Sequence, residues 1–276
     1  MVNNRLLQEK TKFWHDAGLN NLELFRATYH TFSFAPHIHD TYAIGVTESG
    51  AQSFTYQRTK KRLMPAGSVA VVHPGEVHTS QAANLSGWTY RMFYPAAELL
   101  QQVATELSGH PCSIPFFSSP VIHDADLARQ IRNFHMIAED ANSTLLQRES
   151  ILLWVIGCLV LRHADYHPSP CKANPEPDYV RRICRYMDEH FAEPLTVDQL
   201  ARQAGFSPFH FLRIFRNTIG ITPHAYLTHV RIERSKQLLL QGKSLAVIAA
   251  ETGFVDQSHY SKYFKRMIGV SPGKFH

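Results

Sequence analysis

The chain has 276 residues, 44% hydrophobic and 18% charged, which is long enough for two domains that each bury a core. Its net charge of +5 is uneven. From Asp178 onward 14 Lys and Arg face 8 Asp and Glu, whereas the residues before it carry 14 against 15. A disordered polyelectrolyte is excluded, and a near-neutral front joined to a basic back points to nucleic acid as the partner of the back half. The longest apolar run, Ile151 to Leu161, is too short to cross a bilayer, so no membrane partner is expected. No basic stretch followed by an apolar core opens the chain, and the four cysteines form no CxxC pair. Both features suit a reducing cytoplasm.

From about Asn21 to Tyr94 short alternating or β-branched runs are punctuated by Gly45, Gly50, Gly67 and Gly75. Strands at that spacing predict an antiparallel barrel or sandwich. After Pro95 the period changes. Helices are expected over Ala96 to Leu107, over Asp124 to Asp140 with Asp124 as cap, and from Ser143 or Thr144 to about His163. The last is apolar nearly all around (Leu146, Leu153, Ile156, Val160), so one side is expected at a subunit interface of a homodimer, or else in the core. The proline-rich stretch from Tyr166 to Asp178 reads as a linker.

The front half holds candidate ligand residues. His37 and His39 are two apart, and on a strand they would share one face. His73 and His78 flank a Pro-Gly turn. The pattern resembles the two motifs of the cupin barrel, whose His positions His37, His39 and His78 match; three such imidazoles can hold Zn or Fe, but the next acid beyond Asp40, Glu48, sits far along for the carboxylate ligand of that motif. The preferred assignment is therefore a metal-free pocket with no cofactor, lined by His37, His39, Tyr42, His78 and Trp88. Arg91 is then an anion anchor and Glu76 an acceptor.

The back half carries a degenerate repeat. Ala204 to Leu227 reads AGFSPFHFLRIFRNTIGITPHAYL, and Thr252 to Phe275 reads TGFVDQSHYSKYFKRMIGVSPGKF. Each copy is a helix, a Gly turn and a basic helix, capped at Thr196 and Ser207 in the first copy and at Ser244 in the second. A helix from Thr222 and Pro223 to Leu240 joins them. This is two helix-turn-helix units at a set spacing, each offering its second helix to a major groove. Phe209, Arg213, Gln257, Ser258, Ser261 and Lys262 are the candidates to face the groove, and Arg216 and Lys265 to contact phosphate. No GxSxG, HExxH, GxxxxGK[ST] or GxGxxG motif is present, so no enzyme is expected.

The second copy resembles the signature of the AraC/XylS family of bacterial transcription regulators. Lys262 stands where Arg is usual and Val255 where a small polar residue is usual, which leaves Asp256 to cap the helix. The histidine pattern of the front half resembles the two motifs of the cupin barrel found in sensor domains of such regulators. The resemblance implies a two-domain α+β chain. Residues 1–165 form a cupin-like ligand-sensing and dimerisation domain, 166–177 a linker, and 178–276 an all-α DNA-binding domain. It implies a small-molecule effector, double-stranded promoter DNA and RNA polymerase as partners, with activation as the family's habit. The alternative is a metal-dependent cupin enzyme or metal sensor fused to a DNA-binding domain.

Overall fold

The computed structural model describes residues 9–56, 60–165, 177–268 and 271–275. Their contacts group into two units. Residues up to Glu139, with Val155 onward, form the first. Asp140–Trp154, with the helices from Pro177, form the second. The linker stretch lies outside the described residues, except for the start of the helix that follows it.

The first unit is built on strands β1 (Lys10–Asp16), β2 (Leu22–Tyr29), β3 (Ala43–Tyr56), β4 (Lys60–Pro65), β5 (Val69–Val72), β6 (His78–Ala82), β7 (Trp88–Tyr94) and β8 (Val121–Ile122). All pairings are antiparallel. The path runs β1-β2-β7-β3-β5-β8, with β4 and β6 both paired to β3. The 14-residue β3 makes this possible, because its first half pairs with β5 and β7 and its second half with β4 and β6. The expected closed barrel is thus corrected to an open sheet, with β1 and β8 at the ends of the path.

Alternation along β7 sorts its side chains by face. Tyr90 and Met92 join a core with Ala27, Tyr29, Phe54, Met64 and Trp88. On the other face Phe93 meets Phe134 of α2 (Ala125–Glu139) edge-on. The first helix, α1 (Ala97–Ser108), buries Leu100, Val103, Ala104 and Leu107. Asp124 caps α2 as expected, accepting from the amide of Leu127 at 2.9 Å.

Helix α3 (Leu145–His163) begins at Thr144, whose hydroxyl accepts from the amide of Gln147. Its surplus of apolar residues is covered within the chain: Leu146, Leu152, Val155, Ile156, Leu159 and Val160 are all buried. Of the positions singled out in the sequence, Leu146, Ile156 and Val160 thus take the alternative of core burial, and Leu153 is half-buried.

The second unit adds α4 (Pro177–Glu189), α5 (Val197–Ala204), α6 (Pro208–Ile219), α7 (Pro223–Leu240), α8 (Leu245–Glu251) and α9 (Gln257–Ile268). Two apolar clusters hold it. One joins α4, α5, α6 and the start of α7 through Ile183, Met187, Leu200, Phe211 and Phe215. The other joins the end of α7 with α8 and α9 through Ile232, Leu239, Ile248, Tyr260 and Phe264. Each helix pair thus has its own core, with α7 contributing to both.

Candidate nucleic-acid interface and sensor pocket

Both reading helices are set by local devices. Thr196 and Gln199 form a reciprocal capping box at the start of α5. Gly205 then turns the chain at φ +72°. Asp256 caps α9, accepting from the amide of His259 at 2.7 Å. Gly253, at φ +74°, leaves no room for a Cβ, which would stand 2.5 Å from the carbonyl oxygen of Ala192. Ser244 caps α8. Ser207, expected to cap α6, makes no side-chain cap bond, and Pro208 in the first turn starts that helix instead.

On α9, Gln257, Ser258, Lys262 and Lys265 are exposed and Ser261 half-buried, while Tyr260 and Phe264 face the core. The helix therefore has a polar, basic outer face suited to bases and phosphates. On α6, Arg213 and Arg216 are half-buried. Phe209 is 3% exposed, so its expected place facing the groove is corrected: its apolar ring is withdrawn from solvent. Arg216 lies over the ring of Trp154, 4.0 Å from its centroid. No feature of the sequence pointed to Trp154, while His259 of α9, which falls within the signature-like stretch, is buried.

The sensor candidates divide among five places. His37, His39 and His78 converge. His37 bridges His78 backbone to backbone, and the two rings lie 4.2 Å apart. The candidate ligand nitrogens of the three all fall within 4.8 Å of one another. Phe34, Phe54, Val72, Tyr90, Met92 and Tyr94 help line a cavity of about 50 Å³ beside them. Two of the imidazoles have a defined proton. Nδ1 of His37 lies 2.8 Å from the carbonyl of Ala35, and Nδ1 of His78 lies 3.0 Å from the carbonyl of Glu76. A carbonyl can only accept, so each Nδ1 carries hydrogen, and Nε2 is the nitrogen that can offer a lone pair in the neutral ring. Burial pushes His78 down to about 4, and burial, then the neighbouring His37, lowers His39. These two are neutral near pH 7.

The other candidates stand elsewhere, and their expected place in one pocket with the histidines is corrected. Tyr42 is buried, its hydroxyl donating to the carbonyl of Pro115. Trp88 is an aromatic core residue between Tyr29 and Tyr90. Glu76 pairs with Nδ1 of His73 at 3.3 Å, in a separate cleft with Phe116 and Phe117. Arg91 points to the opposite sheet face, because β7 alternates and Tyr90 and Met92 take the histidine side. There it meets Glu48 at 2.9 Å, Glu139 at 3.0 Å and His135 at 3.1 Å. Glu48, already considered too far along to ligate a metal, is held by Arg91 and Arg132. The sequence alone did not single out His135, which is fully buried.

A sheet-based front unit with a pocket, ahead of two basic helix-turn-helix units, defines a ligand-responsive transcription regulator. Residues 19–156 match the family described as AraC-like ligand binding domain, and residues 200–276 match the one described as Helix-turn-helix domain. The uncharacterized HTH-type transcriptional regulator YbfI of Bacillus subtilis is 30% identical over 242 residues, covering 87% of this chain and 86% of that protein. The Msm operon regulatory protein of Streptococcus mutans is 24% identical, covering 95% of each chain. Among solved structures, unsaturated fatty acid bound ToxT of Vibrio cholerae is 13% identical with a TM-score of 0.39, covering 97% of this chain and 94% of that one. The chain belongs to the AraC family of DNA-binding transcription regulators with an N-terminal ligand-binding domain. Among the described residues, no helix is long and apolar enough to cross a membrane.

Proposed function

We propose that the chain is a cytoplasmic, non-enzymatic activator whose front unit senses a small effector at the His37–His39–His78 cluster. Its reading helices contact promoter DNA through Arg213, Gln257, Ser258, Ser261 and Lys262, with Arg216 and Lys265 on phosphates. A homodimer that engages RNA polymerase belongs to the same proposal. The observation that carries the effector site is the meeting of three imidazoles from two separate sequence segments beside an apolar cavity. Such placed polar groups in an apolar wall fix a ligand's orientation. Effector binding changes transcription by its differential affinity for the states of the chain.

A second proposal is favoured by the donor set itself: a divalent metal as the sensed species. Three imidazole nitrogen donors suit Zn or Fe, and the carbonyls of Ala35 and Glu76 supply the outer hydrogen bonds that orient metal-bound imidazoles. The cavity of about 50 Å³ is small for an organic effector but ample for an ion and a water. His37, His39 and His78 would hold the ion after closing inward, since tetrahedral ligands at ~2 Å from a metal lie about 3.3 Å apart.

One experiment separates the two. Metal content is measured on protein purified without chelator, and effector-dependent transcription is followed in a reporter strain, for wild type, His39→Ala and His78→Ala. Near-stoichiometric zinc or iron, lost in both variants, selects the metal sensor. A metal-free wild type whose response vanishes in both variants selects the organic effector. A normal response in both variants overturns the site.

A further inference from the structure

The loop between α1 and β8 contains no helix or strand, yet four consecutive residues of it are fixed by partners remote in sequence. The hydroxyl of Tyr42 donates to the carbonyl of Pro115. The carbonyl of Phe116 accepts from the amide of Asp165 at 2.8 Å. The amide of Phe117 donates to Nε2 of His73 at 3.0 Å. The amide of Ser118 donates to the carboxylate of Asp165 at 2.9 Å. This anchoring holds one aromatic side chain outward, because Phe116 is 57% exposed between the buried Pro115 and Phe117. Its ring lies nearly parallel to that of His73, with centroids 4.6 Å apart.

The turn after β5 supplies the charge. An amide can only donate, so Nε2 of His73 offers its lone pair to Phe117, and Nδ1 carries the hydrogen that goes to Oε2 of Glu76 at 3.3 Å. A ring with that single hydrogen orients the carboxylate without neutralising it. No Lys or Arg among the described residues pairs with Glu76, and its Oε1 has no partner among them. The turn is also held at its backbone. The amide of Gly75 donates to the carbonyl of His39 at 2.8 Å, and the carbonyl of Glu76 accepts from Nδ1 of His78. The result is an oriented carboxylate, 16% exposed, in a cleft walled by Phe116, Phe117 and Tyr56. The cleft measures about 260 Å³, against about 50 Å³ for the cavity beside the three histidines, and the two share no lining residue.

A carboxylate attracts a cation through charge-assisted hydrogen bonds, and aromatic faces attract one through their quadrupole. The Tyr56 ring already carries an ammonium of the chain itself, that of exposed Lys60, 5.8 Å from its centroid. We propose that this cleft is a second ligand site of the front unit, and that it takes a small protonated amine with an apolar body, an alkylamine or arylamine. The ammonium donates to the free Oε1 of Glu76, and the apolar body lies against the outward ring of Phe116. Loop and turn are both held before the ligand arrives, so little ordering opposes binding. An anion of the same shape meets the Glu76 charge and is rejected. The site stands apart from the reading of the histidine cluster given above and does not depend on it.

Isothermal titration calorimetry on the full chain at neutral pH tests the cleft with three probes of one shape. These are 2-phenylethylamine, its uncharged counterpart 2-phenylethanol and the anion 3-phenylpropanoate. The amine is expected to bind about tenfold more tightly than the alcohol, since a hydrogen bond between charged groups outweighs a neutral one, and the anion is expected not to bind. That comparison needs no variant to fold. Glu76→Gln keeps an oxygen for His73 and removes the charge, so the preference for amine over alcohol should vanish. Phe116→Leu, at an exposed position, should weaken the amine several-fold by removing an aromatic face. No binding of the amine at millimolar concentration, equal affinity for amine and alcohol, or wild-type amine affinity in Glu76→Gln overturns the proposal. Amine binding that survives Glu76→Gln but is lost in His39→Ala overturns it too, and places the amine in the histidine cavity instead.

Discussion

His135 shows how one buried side chain organises its surroundings. Its Nε2 lies 3.1 Å from both the carbonyl of Phe25 and that of Met92, so it carries the proton and donates. Its Nδ1 accepts from Nη1 of Arg91. A second proton would have no acceptor and would face Arg91. Burial, then that guanidinium, therefore push the imidazole down to about 4. Unfolded, it takes a proton near pH 6.5, so between pH 6.5 and 4 the unfolded chain binds more protons. Stability from this residue is complete above 6.5 and is lost on acidification through that window, by on the order of 3 kcal/mol in full. Melting temperatures between pH 7.5 and 4.5 should fall more steeply for wild type than for His135→Gln, and equal slopes would refute the assignment. Arg91 joins Glu48, Glu139 and His135, so Arg91→Met should cost on the order of 3 kcal/mol by stranding buried partners. Urea titration measures that cost. Effector or metal binding at the histidine cluster, on the other sheet face, should stay unchanged.

At the scale of elements, the two helix-turn-helix units reach similar shapes by different caps. Asp256→Ala removes the side-chain acceptor at the start of α9 and should cost about 1 kcal/mol. Ser207→Ala should cost only a few tenths of that, because Ser207 makes no cap bond. Gly253→Ala should exceed both. It adds the strain of a left-handed φ to a Cβ placed 2.5 Å from the backbone oxygen of Ala192, which cannot rotate away as a side chain can. Denaturant melts of the three variants give the ranking, and a Gly253→Ala protein as stable as Ser207→Ala would contradict the geometry.

For the whole molecule, the separation of charge decides how DNA binding responds to salt. The net positive charge gathers after Asp178, where acidic residues are fewer, and the exposed Lys262 and Lys265 lie on one reading helix. Removing one cation that pairs with a phosphate should reduce the slope of log affinity against log salt by about one. Lys265→Ala should therefore flatten the slope and weaken all sequences alike. Arg213→Ala should cost about 1–3 kcal/mol on a preferred sequence and relax the preference at one base pair. Mobility shifts across a salt series distinguish the two. A slope unchanged by Lys265→Ala would show that this residue meets no phosphate.

Sequence alone determined what depends on local chemistry. Matched Gly turns, Thr196, Asp256 and the apolar spacing of Phe211, Phe215, Tyr260 and Phe264 are short-range signals, and they placed both helix-turn-helix units. His37 and His39 could be paired from spacing alone. That His78 meets them came only from the resemblance to a barrel motif, because the bridge crosses some forty residues. Tertiary structure alone decided which face of β7 each residue served. Arg91 could be read as a pocket anchor until Glu48, Glu139 and His135, all remote in sequence, claimed its guanidinium. The same holds for α3. A helix apolar on all sides has one sequence appearance whether a partner or the chain's own core covers it, and only long-range packing distinguishes the two. Trp154 and Glu149 carried no local signal, since their meaning lies in the Arg216 side chain and the Val197 amide that folding brings to them.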